Sequence, residues 1–76
     1  MPKVNLGKSE FRRDLETALR KEYGGAMVLA EVKREIGTNS REYALAFMDG
    51  APTLQVGKRR KWRIEDVAER IERART

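Results

Sequence analysis

Hydrophobic residues recur at helical spacing near the start of the chain. The apolar positions fall at i, i+4, i+7, i+8 and i+12, namely Phe11, Leu15, Ala18, Leu19 and Tyr23. Ser9 precedes them and is suited to cap a helix, and Gly24-Gly25 follows and is suited to end one. The pattern predicts a first helix over residues 9–23 whose apolar stripe covers the core.

A second segment with helical spacing covers residues 26–36. Its apolar side consists of Val28 or Leu29, Val32 and Ile36. Gly37 ends this segment, and helix-capping residue types follow at Thr38, Asn39 and Ser40. The spacing predicts a second helix that ends at the glycine.

A third segment runs from Ser40 or Arg41 to Met48, and Pro52 prevents its continuation. We expect it to pack through one face, made of Tyr43, Ala46 and Phe47. Two short helices joined by a glycine-containing turn of about three residues have the spacing of a helix-turn-helix. In such a pair the second helix is the one that can enter the major groove of DNA.

The last third of the chain predicts a hairpin and a closing helix. Thr53–Val56 has the pattern of a strand, Gly57 to Lys61 that of a turn, and Trp62–Ile64 that of a returning strand, with Trp62 in the core. This turn is wider than a two-residue turn, so we expect a flexible tip in the absence of a ligand. Glu65-Asp66 then begins a helix with a buried stripe of Val67, Ala68 and Ile71.

The predicted elements define a fold class. Their order is helix, helix-turn-helix, hairpin, helix, which is an α+β fold, mostly α: a winged helix-turn-helix with an extra N-terminal helix and a two-stranded wing. Residues 1–8 are expected to form an irregular arm, and residues 9–76 a single domain.

Positive charge is concentrated in the predicted hairpin. The chain has 17 Lys and Arg against 12 Asp and Glu, a net charge of +5. Five of the six residues from Lys58 to Arg63 are cationic, and no acidic residue occurs between Asp49 and Glu65. A rigid cationic hairpin is suited to a polyanion, of which double-stranded DNA is the commonest.

Other features argue against catalysis and against a membrane. The chain has no histidine and no cysteine, so it lacks the usual general base, the thiol nucleophile and the commonest metal ligands. Its glycine-containing stretches do not match a phosphate-binding loop. We therefore expect no enzyme activity, no metal and no cofactor. Without a signal-peptide or membrane-spanning pattern, we expect a cytoplasmic protein that does not associate with a membrane.

An ordered set of short motifs resembles a known family. The motifs are Ala30-Glu31-Val32, Ile36-Gly37, Ser40-Arg41, Gly50-Ala51-Pro52, Val56-Gly57-Lys58-Arg59-Arg60, Trp62-Arg63-Ile64 and Asp66-Val67. Together they cover about residues 27–72 and resemble the small winged-helix proteins of the excisionase type, related in fold to the DNA-binding domain of MerR-type regulators.

The resemblance implies a function without catalysis. Excisionases bind repeated DNA sites near the attachment site of a phage or mobile element, bend the DNA, and contact an integrase or one another. We therefore expect double-stranded DNA, an integrase or recombinase, and further copies of this chain as partners. Two alternatives are a small transcriptional regulator of the same fold and an RNA- or protein-binding adaptor.

In this fold, three groups of residues are expected to contact DNA. The recognition-helix group meets base edges and consists of Asn39, Ser40, Arg41, Tyr43, Ala44 and Leu45. The wing group meets the backbone or the minor groove and consists of Lys58, Arg59, Arg60, Lys61 and Arg63. Thr38, Lys33 and Arg34 are candidate phosphate contacts. Packing or capping remains an alternative role for Thr38, Asn39, Tyr43 and Leu45.

Overall fold

Helices and one small sheet account for most of the computed structural model, which describes residues 9–75. Its elements are α1 (Glu10–Tyr23), β1 (Ala26–Val28), α2 (Leu29–Ile36), α3 (Arg41–Phe47), β2 (Leu54–Val56), β3 (Arg59–Arg63) and α4 (Ile64–Ala74). The described part is therefore α+β and mostly helical. The predicted arm over residues 1–8 lies outside the described residues.

The first helix is confirmed, with one change to its buried face. The Ser9 Oγ accepts a hydrogen bond from the Arg12 N–H at 3.0 Å, and Gly24 ends the helix with φ +88°. Leu19 is buried as expected, whereas Ala18 is exposed. Glu16 is buried instead, with its carboxylate 3.8 Å from the Arg12 guanidinium.

The prediction of a helix from residue 26 is wrong for its first three residues. Ala26–Val28 forms β1, which pairs antiparallel with β3 so that Met27 is opposite Trp62. The α2 helix starts only at Leu29, because the Glu31 carboxylate accepts the Val28 N–H at 3.0 Å and so caps the helix. Three residues are too few for periodicity to separate strand from helix, and the partner strand lies more than thirty residues away.

The packing face predicted for α3 is also wrong. Ala44 and Met48 are buried, whereas Tyr43 and Ala46 are exposed and Phe47 is only half-buried. Ala44 and Met48 stand at i and i+4, so they form a second apolar stripe on the same short helix. Met48 is almost fully buried and Phe47 only partly, so the Ala44–Met48 side of α3 faces the core.

The hairpin is confirmed, but its turn is tighter than predicted. Val56 pairs with Arg59, so the loop consists only of Gly57 and Lys58. Gly57 has φ +62° and Lys58 has no positive φ, which fits a type II′ turn with glycine at its first loop position. Arg59, Arg60 and Lys61 therefore belong to β3 and not to a loop, and the expectation of a wide turn is wrong.

The three strands form one antiparallel sheet in the order β1-β3-β2, so β3 is the central strand and β1 and β2 are its two edges. The closing helix begins at Ile64, one residue earlier than expected, and buries Val67 and Ala68, while Ile71 is partly buried. These residues share a single core with Leu19, Met27, Val32, Met48 and Trp62. The arrangement is compatible with a winged helix. None of the helices within residues 9–75 is long and apolar enough to cross a membrane.

Candidate nucleic-acid interface

A cationic groove lies between the start of α3 and the β2–β3 hairpin. It encloses about 330 Å³, and four of its eight lining residues are cations: Arg41, Lys58, Arg59 and Arg60. The others are Trp62 and the segment Val28–Ala30, where β1 meets α2, and none of the eight is acidic. Two elements predicted to bind DNA thus contribute positive charge to one concave surface.

Capping interactions set the position of Arg41 on the rim of this groove. The Ser40 Oγ accepts the Tyr43 N–H at 3.0 Å and so starts α3 at Arg41. The Thr38 Oγ1 accepts the Ser40 N–H at 3.0 Å and holds the turn before the helix. Thr38 and Ser40 therefore act as capping residues. Asn39 is exposed, and Arg41 extends from a fixed helix start.

Trp62 anchors the hairpin side of the groove. It is buried in the core, and the Arg60 guanidinium lies over its ring, 5.7 Å from the centroid. Arg60 and Trp62 share one face of β3 because side chains alternate along a strand. By the same alternation Arg59, Lys61 and Arg63 belong to the opposite face, and of these three only Arg59, which is next to the turn, lines the groove. The run of cations is therefore divided between the two faces of the sheet.

Arg63 is engaged with an acidic residue of the same chain. Its Nε donates to the Asp66 Oδ2 at 3.2 Å, and this interaction raises the pKa of the Arg63 guanidinium. Asp66 belongs to the first turn of α4, so the pair connects the end of the sheet to that helix. The structure therefore gives Arg63 a local partner and places it apart from the groove.

Arg34, predicted as a phosphate contact, also has local partners. Its guanidinium donates to the Tyr23 hydroxyl and to the Glu22 carboxylate, and that hydroxyl donates to the Glu35 Oε2 at 2.5 Å. Partial burial, followed by the bond to Glu35, raises the pKa of Tyr23. This cluster ties the end of α1 to α2. Lys33 is half-buried, and neither Lys33 nor Arg34 lines the groove.

The three apolar or aromatic residues predicted on the recognition helix have three different environments. Ala44 is fully buried, so it cannot touch a thymine methyl, and its assignment is corrected. Leu45 is half-buried, packs against the core and lines a second cavity beside Arg60 and Trp62. Tyr43 is 58% exposed, but it lines a different cavity, with Ile36, Phe47 and Ile71.

Two residues outside the predicted DNA contacts, one of them expected on the packing face, occupy the outward face of α3. Glu42 and Ala46 are both exposed, and they stand two positions on either side of the buried Ala44. Two positions along a helix are about 200° of rotation, so both residues lie opposite the core face. The i, i+4 spacing of Ala44 and Met48 indicates this orientation, but Tyr43 and Phe47 have the same spacing, so the sequence does not choose between the two faces.

Comparisons with known proteins give no family for the chain. No protein-family profile matches it, and neither a curated protein nor a solved structure is significantly similar to it.

Proposed function

We propose that this protein binds double-stranded DNA through the cationic groove and the outward face of α3. The observation that carries this proposal is that Arg41, Lys58, Arg59 and Arg60 line one groove without an acidic neighbour in its lining. None of these four side chains forms an ion pair within residues 9–75. Free cations on one concave surface favour a polyanion, because each phosphate contact releases condensed counterions.

The geometry supports a two-part contact with the duplex. The α3 helix has its outward face in solvent, and a single helix fits the width of the major groove. The tight turn at Gly57 and Lys58 holds the hairpin cations beside the helix start, where they can follow the adjacent backbone or enter the minor groove. In this arrangement the fold would be a winged helix-turn-helix.

We further propose that the chain acts as an excisionase-type factor, which bends DNA and assists an integrase without catalysing a reaction itself. The ordered motifs from Ala30 to Val67 support this role, together with the helix and hairpin order of the structure. A single small domain reads few base pairs, so cooperative binding of several copies is part of the proposal. A duplex DNA ligand also fits the predicted cytoplasmic location.

A transcriptional regulator of the same fold would use the same contacts. Footprinting on DNA flanking the protein's own gene separates the two roles: protection of repeated sites beside an attachment site supports the excisionase role, and protection of a promoter supports the regulator. Competition by structured RNA in a gel-shift assay tests the adaptor alternative, because an RNA-binding protein would prefer the RNA.

The salt dependence of DNA affinity tests the groove directly. In the double variant Lys58→Ala/Arg59→Ala, we expect the slope of log K against log salt concentration to become shallower by about 1.8. The reason is that each lost phosphate contact removes about 0.9 from the slope for B-DNA. Affinity is measured by fluorescence anisotropy with a labelled duplex at several salt concentrations.

The double variant Arg13→Ala/Lys21→Ala is a matched control. It also removes one lysine and one arginine, and both residues are exposed on α1, outside the lining of the groove. We expect its slope to equal that of the unmodified protein. Equal slopes for all three proteins would show that the hairpin does not touch the DNA backbone, and the proposal would then be wrong.

A further inference from the structure

Glu42 lies on the outward face that α3 would present to DNA. It is exposed, it lies about 200° around the helix from the buried Ala44, and Arg41 precedes it on the rim of the groove. Ala46, one turn further along, is also exposed on this outward face. The polar side chain on this outward face is therefore a carboxylate and not a cation.

This carboxylate has no partner among the described residues. The Glu42 side chain forms no hydrogen bond and no ion pair within residues 9–75, whereas other acidic residues near cations, such as Asp66 and Glu65, are paired at 3.2 and 2.9 Å. An unpaired negative charge on a surface that approaches phosphates weakens binding to every sequence alike. A specific donor on the DNA would offset this repulsion at matching sites only.

The chemistry of the major groove indicates which base supplies that donor. An ionised carboxylate only accepts hydrogen bonds, and the exposed donors there are the amino groups of cytosine and adenine. Adenine presents its N7 acceptor beside its amino group, which repels a carboxylate, whereas the cytosine N4 amino group is the usual partner of glutamate. We infer that Glu42 determines sequence specificity by accepting a hydrogen bond from the N4 amino group of a cytosine. This inference rests on the proposed function.

Selection of binding sites from a randomised duplex library tests the inference. We expect the unmodified protein to prefer cytosine at one position of the selected site. In Glu42→Gln, the preference at that position should change to adenine, because an amide can both donate to N7 and accept from the amino group. The ratio of affinities for cytosine over adenine should fall roughly tenfold. Glu42→Ala should lose the preference at that position without gaining adenine.

The variant Asp49→Asn is the matched control, because it removes one exposed carboxylate just after the same helix. It should keep the cytosine preference. An unchanged selected site in Glu42→Gln, or equally tighter binding to all sequences, would overturn the inference while leaving DNA binding intact. Binding without any base preference would do the same. Failure of the unmodified protein to bind duplex DNA at all would instead refute the proposed function, and with it this inference.

Discussion

The arginines of this protein differ in whether the fold gives them an acidic partner. Arg20 and Arg63 are paired with Glu65 and Asp66, both at the start of α4. Arg41 and Arg59 have no ion-pair partner within residues 9–75, and both line the groove. Exposed ion pairs contribute little to stability. Their main consequence here is that paired arginines are less available to a ligand than the unpaired ones in the groove.

The Tyr23 hydroxyl gives a prediction at the scale of one residue. Because the pKa of Tyr23 is raised in the folded state, its contribution to stability is complete below the ordinary tyrosine pKa of about 10 and is lost as the pH rises above it. Tyr23→Phe should lower the free energy of unfolding at pH 7 by at most about 1 kcal/mol and weaken the loss of stability above pH 10. Urea unfolding at pH 7 and pH 10.5 measures both effects.

The control for this experiment is Tyr43→Phe. Tyr43 is exposed and its hydroxyl has no hydrogen bond within residues 9–75, so the free energy of unfolding should change by less than about 0.5 kcal/mol. If Tyr23→Phe loses stability above pH 10 as steeply as the unmodified protein, other groups cause the pH dependence.

At the scale of elements, two short connections position the proposed interface. The Ser40 cap fixes where α3 begins, and the two-residue turn at Gly57 and Lys58 fixes the hairpin. From the other side, the Arg70 guanidinium of α4 donates to the Phe47 carbonyl at 3.0 Å and satisfies one of the free acceptors at the end of α3. The helix and the hairpin are thus held in place by polar contacts at their ends.

Gly57 provides the prediction at this scale. Its φ of +62° is unfavourable for a residue with a Cβ, so Gly57→Ala should lower the free energy of unfolding by about 1–2 kcal/mol. Thermal unfolding followed by circular dichroism measures the change. We expect DNA affinity to fall as well, because the hairpin cations lose their fixed position.

Gly25→Ala is the control for Gly57→Ala. Gly25 has no positive φ, and a Cβ there would meet no atom within 4 Å. Its substitution should leave stability nearly unchanged or raise it slightly, through the smaller entropy of the unfolded chain. If both substitutions change the free energy of unfolding equally, a side chain at position 57 does not strain the turn.

At the scale of the whole molecule, β3 joins the two halves of the chain. It pairs with β1 from the first half and with β2 from the second, and Met27 and Trp62 meet in the core across the first of these pairs. A domain of this size buries only about 60% of its unfolded surface, so its total stability is small and depends on few side chains. A substitution at the Met27–Trp62 contact should therefore destabilise the entire domain.

Met27 tests this dependence. It is fully buried, so Met27→Ala should lower the free energy of unfolding by about 2–5 kcal/mol, a large part of the 5–15 kcal/mol typical of small domains. Urea unfolding followed by Trp62 fluorescence measures the change. Val56→Ala is the control, because Val56 is 54% exposed and its loss should cost less than about 0.5 kcal/mol. Similar losses of stability in both variants would contradict the importance of the Met27–Trp62 contact.

The sequence by itself determined the features that depend on neighbouring residues. The first helix with its Ser9 cap, the glycine that ends α2, the antiparallel hairpin and the burial of Trp62 were all predicted correctly, because caps, glycines and short-range periodicity act within a few residues. The presence of the cationic run in the hairpin was predicted for the same reason, but its division between turn and strand was not.

Only the tertiary structure decided what depends on distant partners. Residues 26–28 form a strand because β3 is available to pair with them, and α3 is rotated so that Ala44 and Met48 are buried and Glu42 faces outward. The same packing separates the groove cations from Arg34 and Arg63, which have acidic neighbours. These outcomes follow from competition among surfaces far apart in the chain, and no local pattern records which surface is buried most favourably.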